Sequence, residues 1–132
     1  MEEIYKLGIS ENTIKSMLEL NPEINNMESK EIQDRIMWLK YIKCTDNQIR
    51  NIISSNPMYL SITLDEIIEL LKKLYDLRFN HLNVLLDANP YILNINTKDL
   101  DSYIGKRVNN KEYLENIIDD LESHPYKFND IL

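Results

Sequence analysis

The sequence predicts an all-α fold, a small α-solenoid of about three and a half repeats of ~33–35 residues. Each repeat is a helix, a short proline-containing segment and a second helix. Three observations predict it. Pro22, Pro57, Pro90 and Pro125 are spaced by 35, 33 and 35 residues; the first three follow an asparagine (Asn21, Asn56, Asn89) and the fourth follows His124. Around each proline the apolar residues recur at i, i+3, i+4, the spacing of one helix face. Only two glycines, Gly8 and Gly105, occur in 132 residues, too few turn residues for a β-rich chain of this size.

The first unit, about residues 4–40, starts its helix at Ser10 as N-cap and carries Ile14, Met17 and Leu18 on one face. Pro22 ends that helix, because the residue before a proline is pushed out of the α region. A second helix, capped by Ser29, buries Ile32, Ile36 and Leu39. The second unit, about 41–75, repeats the pattern with Ile49, Ile52 and Ile53, then Ile67, Leu71 and Leu74. Its N-caps, Thr45 with Gln48 and Thr63 with Glu66, both read as capping boxes. In the third unit, about 76–109, Asn80 stands in the N-cap place of a helix about two residues shorter. Leu82, Leu85 and Leu86 form its face, and Thr97 caps the helix that buries Leu100 and Ile104. A partial unit, about 110–132, offers Leu114, Ile117, Ile118 and Leu121 and reads as an acidic cap. Helices this short are marginal alone, so their stability must come from stacking into one domain with one core.

Composition narrows the function. Apolar residues make up 43% and charged residues 28%, the balance of a globular chain. Cys44 stands alone, which excludes an internal disulfide and a cysteine-built metal site and suits a reducing cytosol. The start, Met-Glu-Glu-Ile-Tyr-Lys, resembles neither a secretory signal nor an organelle transit peptide, and no apolar run approaches the ~20 residues of a membrane span. A cytoplasmic location, away from membranes, is the expectation. His81 and His124 lack ligand spacing, Asp65, Glu66 and Glu69 belong to a helix start, and no Gly-rich phosphate loop occurs. No catalytic constellation, metal site or cofactor site is therefore expected, and the chain reads as a binding protein.

The junctions Leu7-Gly8-Ile9-Ser10, Ile42-Lys43-Cys44-Thr45 and Leu77-Arg78-Phe79-Asn80 each precede the helix that ends at a proline. This resembles the repeat of the mitochondrial transcription termination factor (mTERF) family: Leu-Gly-apolar-Ser, spaced apolar residues, then Pro-x-apolar. The first unit matches best, and Lys43 and Arg78 replace the glycine in the later ones. The resemblance implies three-helix units, the middle helix short, in a curved superhelix that binds double-stranded nucleic acid along a basic surface. Cys44 aligns with Ile9 and Phe79, so it reads as a small core residue.

Charge divides the candidate partners. Net charge is −7, which opposes phosphate binding. Residues 35–78 nevertheless carry 7 basic and 5 acidic side chains, against 3 and 8 in residues 1–34 and 5 and 9 in residues 79–132. A basic ladder recurs near the end of each second helix: Lys40 with Lys43, Lys72 with Lys73, Lys106 with Arg107. These are the candidate nucleic-acid contacts. The acidic ends offer Glu19, Glu23, Glu28, Glu31 and Asp34, and Glu112, Glu115, Asp119, Asp120 and Glu122, as candidate contacts for a basic protein. Charge favours that protein partner, a nucleic-acid-handling protein to be docked on or regulated, over direct binding of duplex. Trp38 reads as core, and Tyr59 and Tyr91 as plugs of the links beside their prolines.

Overall fold

The computed structural model describes residues 1–132 and contains eight α-helices and four 3-10 helices, with no strand. A short α1 (Glu2–Lys6) is followed by α2 (Glu11–Leu20), α3 (Ser29–Tyr41), α4 (Asp46–Ser55), α5 (Leu64–Asp76), α6 (Leu82–Ala88), α7 (Thr97–Asn109) and α8 (Leu114–Ser123). Each proline opens a 3-10 helix, Pro22–Asn26, Pro57–Ser61, Pro90–Asn94 and Pro125–Asp130, between the two α-helices of a unit or after α8. Proline suits that first position, since its missing N–H would be unpaired there anyway. The helices α1, α3, α5 and α7 stack in one row, α2, α4 and α6 in a second, and the 3-10 helices in a third. One apolar core runs through the stack from Ile4 to Phe128. No helix is long and apolar enough to cross a membrane.

The asparagines that precede the prolines join unit to unit. Asn21, Asn56 and Asn89 are buried, and their amides donate to the carbonyls of Pro57, Pro90 and Pro125 at 3.0 Å. Each also donates to a polar side chain of the next 3-10 helix, Ser61 Oγ at 2.7 Å, Asn94 Oδ1 at 3.0 Å and Asn129 Oδ1 at 3.1 Å. Buried carbonyls between stacked units are thereby satisfied, as a close-packed interior requires.

Helix starts agree with the sequence in part. Ser10 caps α2, and Thr45 with Gln48 closes a full capping box on α4. Thr63 accepts from the Glu66 N–H, but the reciprocal Glu66 contact is not made. Ser29 and Thr97 are already helical, and Glu28 and Asn96 hold the cap positions instead. Asn80 does not cap α6 either. His81 does, with a left-handed backbone (φ 50), so residues that would form a first turn are spent on the bend. The helix is left with 7 residues against 10 in α2 and α4.

The 3-10 geometry also separates the two link tyrosines. About three residues per turn set neighbours ~120° apart, and in the first three links the second residue after proline points in while the first points out. Ile24, Tyr59 and Ile92 are accordingly buried, and the Tyr59 hydroxyl donates to the Arg35 carbonyl at 2.7 Å. Tyr91, one residue after its proline, is exposed and does not plug the link. Trp38 is half-buried against the core and meets Tyr41 edge-on, with ring centroids 5.2 Å apart.

Candidate nucleic-acid interface

Each unit runs out along one helix and back along another, so its proline link lies at one edge of the stack and its turn to the next unit at the opposite edge. The turns share one backbone solution. Gly8, Lys43, Arg78 and Lys111 all have positive φ, between 68° and 84°. Lys43 N–H reaches the Lys40 carbonyl at 2.9 Å and Cys44 N–H the Leu39 carbonyl at 3.0 Å; Arg78 with Phe79 and Lys111 with Glu112 repeat the pair. This is the Schellman ending of a helix, which favours glycine because a Cβ in the left-handed region costs ~1–2 kcal/mol. The Leu-Gly-apolar motif of the sequence is therefore a helix C-cap. Only the first turn keeps its glycine; the next three carry a cation in the strained position.

Those cations face solvent, and no carboxylate pairs with them within 4.0 Å. Lys40 and Lys106, from the last turns of α3 and α7, and Lys72, just before the last turn of α5, are likewise exposed and unpaired. With helices packed ~8–10 Å apart, the turns present a cation on the order of every 10 Å along this edge. Exposed Tyr5, Tyr41, Tyr75 and Tyr113 lie among them, suited to sugar and phosphate contact. The exposed acids within four residues of the turns are Glu11, Asp46, Asp76, Glu112 and Glu115, of which Glu112 is held by Arg107.

Two rungs of the ladder expected from the sequence are already occupied. Lys73 pairs with Asp101 at 3.1 Å. Arg107 stands in register with Ile4, Leu39 and Leu74, and Glu112 with Ile9, Cys44 and Phe79. The apolar pair that closes the other three helix ends is here a bidentate ion pair, Nε to Oε2 at 2.8 Å and an Nη to Oε1 at 2.7 Å. Arg107 also reaches Asp120 at 3.0 Å, and Asp120 takes Lys127 at 2.7 Å. These contacts hold the Asp120 carboxyl below its usual range, Lys127 first and Arg107 after it, and Arg107 does the same to Glu112. Sequence reasoning found neither Lys111 nor the turn geometry, although Lys43 and Arg78 at the glycine position were the available signal.

The acidic candidates divide in the same way. Glu112 and Asp120 are bound to Arg107, and Glu122 accepts from the Asn80 N–H at 2.8 Å. Asp34 pairs with Lys30 at 3.2 Å. Glu19, Glu23, Glu28, Glu31, Glu115 and Asp119 remain exposed with no cation partner. Arg35 and Arg50 are spent on the carbonyls of Ile62 and Leu7. Cys44 is buried, and burial, with Asp87 nearby, pushes its thiol up to about 12, so it is inert at neutral pH.

Charge is therefore sorted by edge and not by segment. The proline edge spans four residues before each proline to nine after it: residues 18–31, 53–66, 86–99 and 121–132. It holds ten acidic and three basic side chains, the whole net charge of −7. The rest of the molecule is balanced, with twelve of each. The ten-residue first helices set the two edges ~15 Å apart, beyond the ~8 Å screening length of physiological salt. Net charge thus says little about what the turn edge can bind.

No curated protein matches the chain. The mTERF family model matches residues 1–116, through every proline but the last and all four left-handed turns. The chain belongs to the mTERF family of helical-repeat proteins.

Proposed function

We propose that this protein acts by binding and not by catalysis, and that its turn edge holds the backbone of double-stranded nucleic acid. The observation that carries the reading is the run Lys43, Arg78, Lys111, three cations in successive turns at positions where glycine would be more stable. The helix macrodipole alone does not account for them, because a lysine within the last turn gains that attraction without left-handed strain. Family membership supports the same reading. A second role, docking of a protein, is supported by the acidic proline edge, which such binding leaves open.

The test replaces Lys43, Arg78 and Lys111 together by glycine. A glycine at each turn relieves strain, so the variant should unfold at the same or a higher temperature. Its affinity for a duplex, measured by fluorescence anisotropy across a salt series, should fall at least about tenfold, with the log–log salt slope reduced by about three. Lys73 and Arg107 are unsuitable for this purpose, since each holds an internal carboxylate. Unchanged duplex affinity in the glycine variant would place the contact elsewhere.

A further inference from the structure

The proline edge carries a second row in register. Met58, Tyr91 and Tyr126 occupy the first position after Pro57, Pro90 and Pro125, and they are 46%, 47% and 63% exposed. The position is outward in every unit, so an apolar side chain there gains little from folding; in the first unit it is Glu23. Consecutive 3-10 helices are in contact, which sets the three side chains side by side along the edge.

Carboxylates flank this row on both sides. A groove of about 430 Å³ lies between the second and third links, where Met58 and Ile62 meet Glu66 and Glu69. Another, of about 480 Å³, is bounded by Tyr91, Tyr126 and Asp87. Glu69 accepts from the Thr97 hydroxyl and Asp87 from the Asn51 amide, so both are fixed in place while neither has a cation. Lys98 is the one unpaired cation on the edge.

We propose that the proline edge is a docking strip for an extended, basic peptide segment of a protein partner; this rests on the protein-docking role above and names its surface. The chemistry is that of arginine and lysine. Their aliphatic stems lie over methionine and tyrosine, and their cationic heads reach a carboxylate or the face of a ring. An extended chain suits a row that repeats once per stacked unit, with alternate side chains entering the grooves. A nucleic-acid strand does not suit it, because the molecule's entire excess of negative charge is here.

The test titrates a fluorescein-labelled peptide, with arginine at alternate positions between alanines, into the full chain and reads anisotropy and amide chemical shifts. Shifts should concentrate in residues 57–61, 90–96 and 125–130. The Met58→Ser, Tyr91→Ser, Tyr126→Ser variant, its fold checked by circular dichroism, should bind about tenfold more weakly, as when a central anchor is removed. The three substitutions leave charge untouched. If the peptide bound wild type and variant alike, attraction to the acids alone would be sufficient and the strip would be overturned, with protein docking intact. If the peptide did not bind at all, both would fall. Sedimentation of the unliganded chain supplies the other arm: a monomer is expected, and self-association lost in the serine variant would assign the row to a second copy and overturn the peptide.

Discussion

Asn21, Asn56 and Asn89 are among the few polar side chains in the interior, and each spends its amide on the next unit rather than its own. Replacing Asn56 with leucine keeps approximate volume and leaves the buried Pro90 carbonyl short of a partner, while the exposed Asn94 amide can turn to water. We expect a loss of ~1–3 kcal/mol, the cost of stranding a buried polar group. Urea denaturation should show it as a lower midpoint at unchanged m-value. A neutral result would mean that this carbonyl finds water and that the asparagines are not the inter-unit joint. The asparagines were legible as a periodic feature of the sequence. Their role was not, because every partner lies 34–40 residues away and only the folded stack brings the two together.

At the scale of the helix, the ending matters as much as the face. The apolar periodicity locates α2, α4 and α5 with little error, since a repeated i, i+3, i+4 pattern is a direct imprint of burial. In α8 it holds for Ile117, Ile118 and Leu121, whereas Leu114, at the exposed start of the helix, is not on the buried face. The caps were harder to place. Serine and threonine near a helix start point to N-caps at Ser29 and Thr97, yet the backbone turns one residue earlier. No residue preference marks the left-handed turns after α3, α5 and α7, where cations stand in place of glycine. The last of those turns carries the clearest departure from the repeat, an ion pair where the others close on apolar contact. Arg107→Leu restores only one half of the apolar pair and leaves Glu112 facing it, so the melting temperature should drop. Adding Glu112→Phe recreates the Leu74–Phe79 arrangement and should recover most of the loss. A thermal melt of the two variants decides it. If the double variant were no more stable than the single, the pair would be holding Asp120 and Lys127 in place and not merely closing the helix.

At the scale of the molecule, the units are alike enough to predict what happens when one is removed. Linear stretches of the sequence suggested a basic middle between acidic ends. Folding rearranges the same charges into a neutral turn side and an acidic proline side, because each unit contributes one of each edge. Deleting residues 42–76 joins Tyr41 to Leu77 at equivalent points of the repeat, so α3 runs into the left-handed turn at Arg78. Asn21 then faces the Pro90 carbonyl and Asn94, the partners Asn56 has now. Ile14 and Met17 of α2 meet α6 in place of α4. Stability should fall, since nearest-neighbour interfaces add up along a solenoid and one interface is gone. Cooperativity should remain, with a single urea transition and an m-value smaller in proportion to the surface lost. The far-ultraviolet spectrum should stay helical. A broad, non-cooperative transition would show that the second unit is a specific keystone and that the units are not interchangeable.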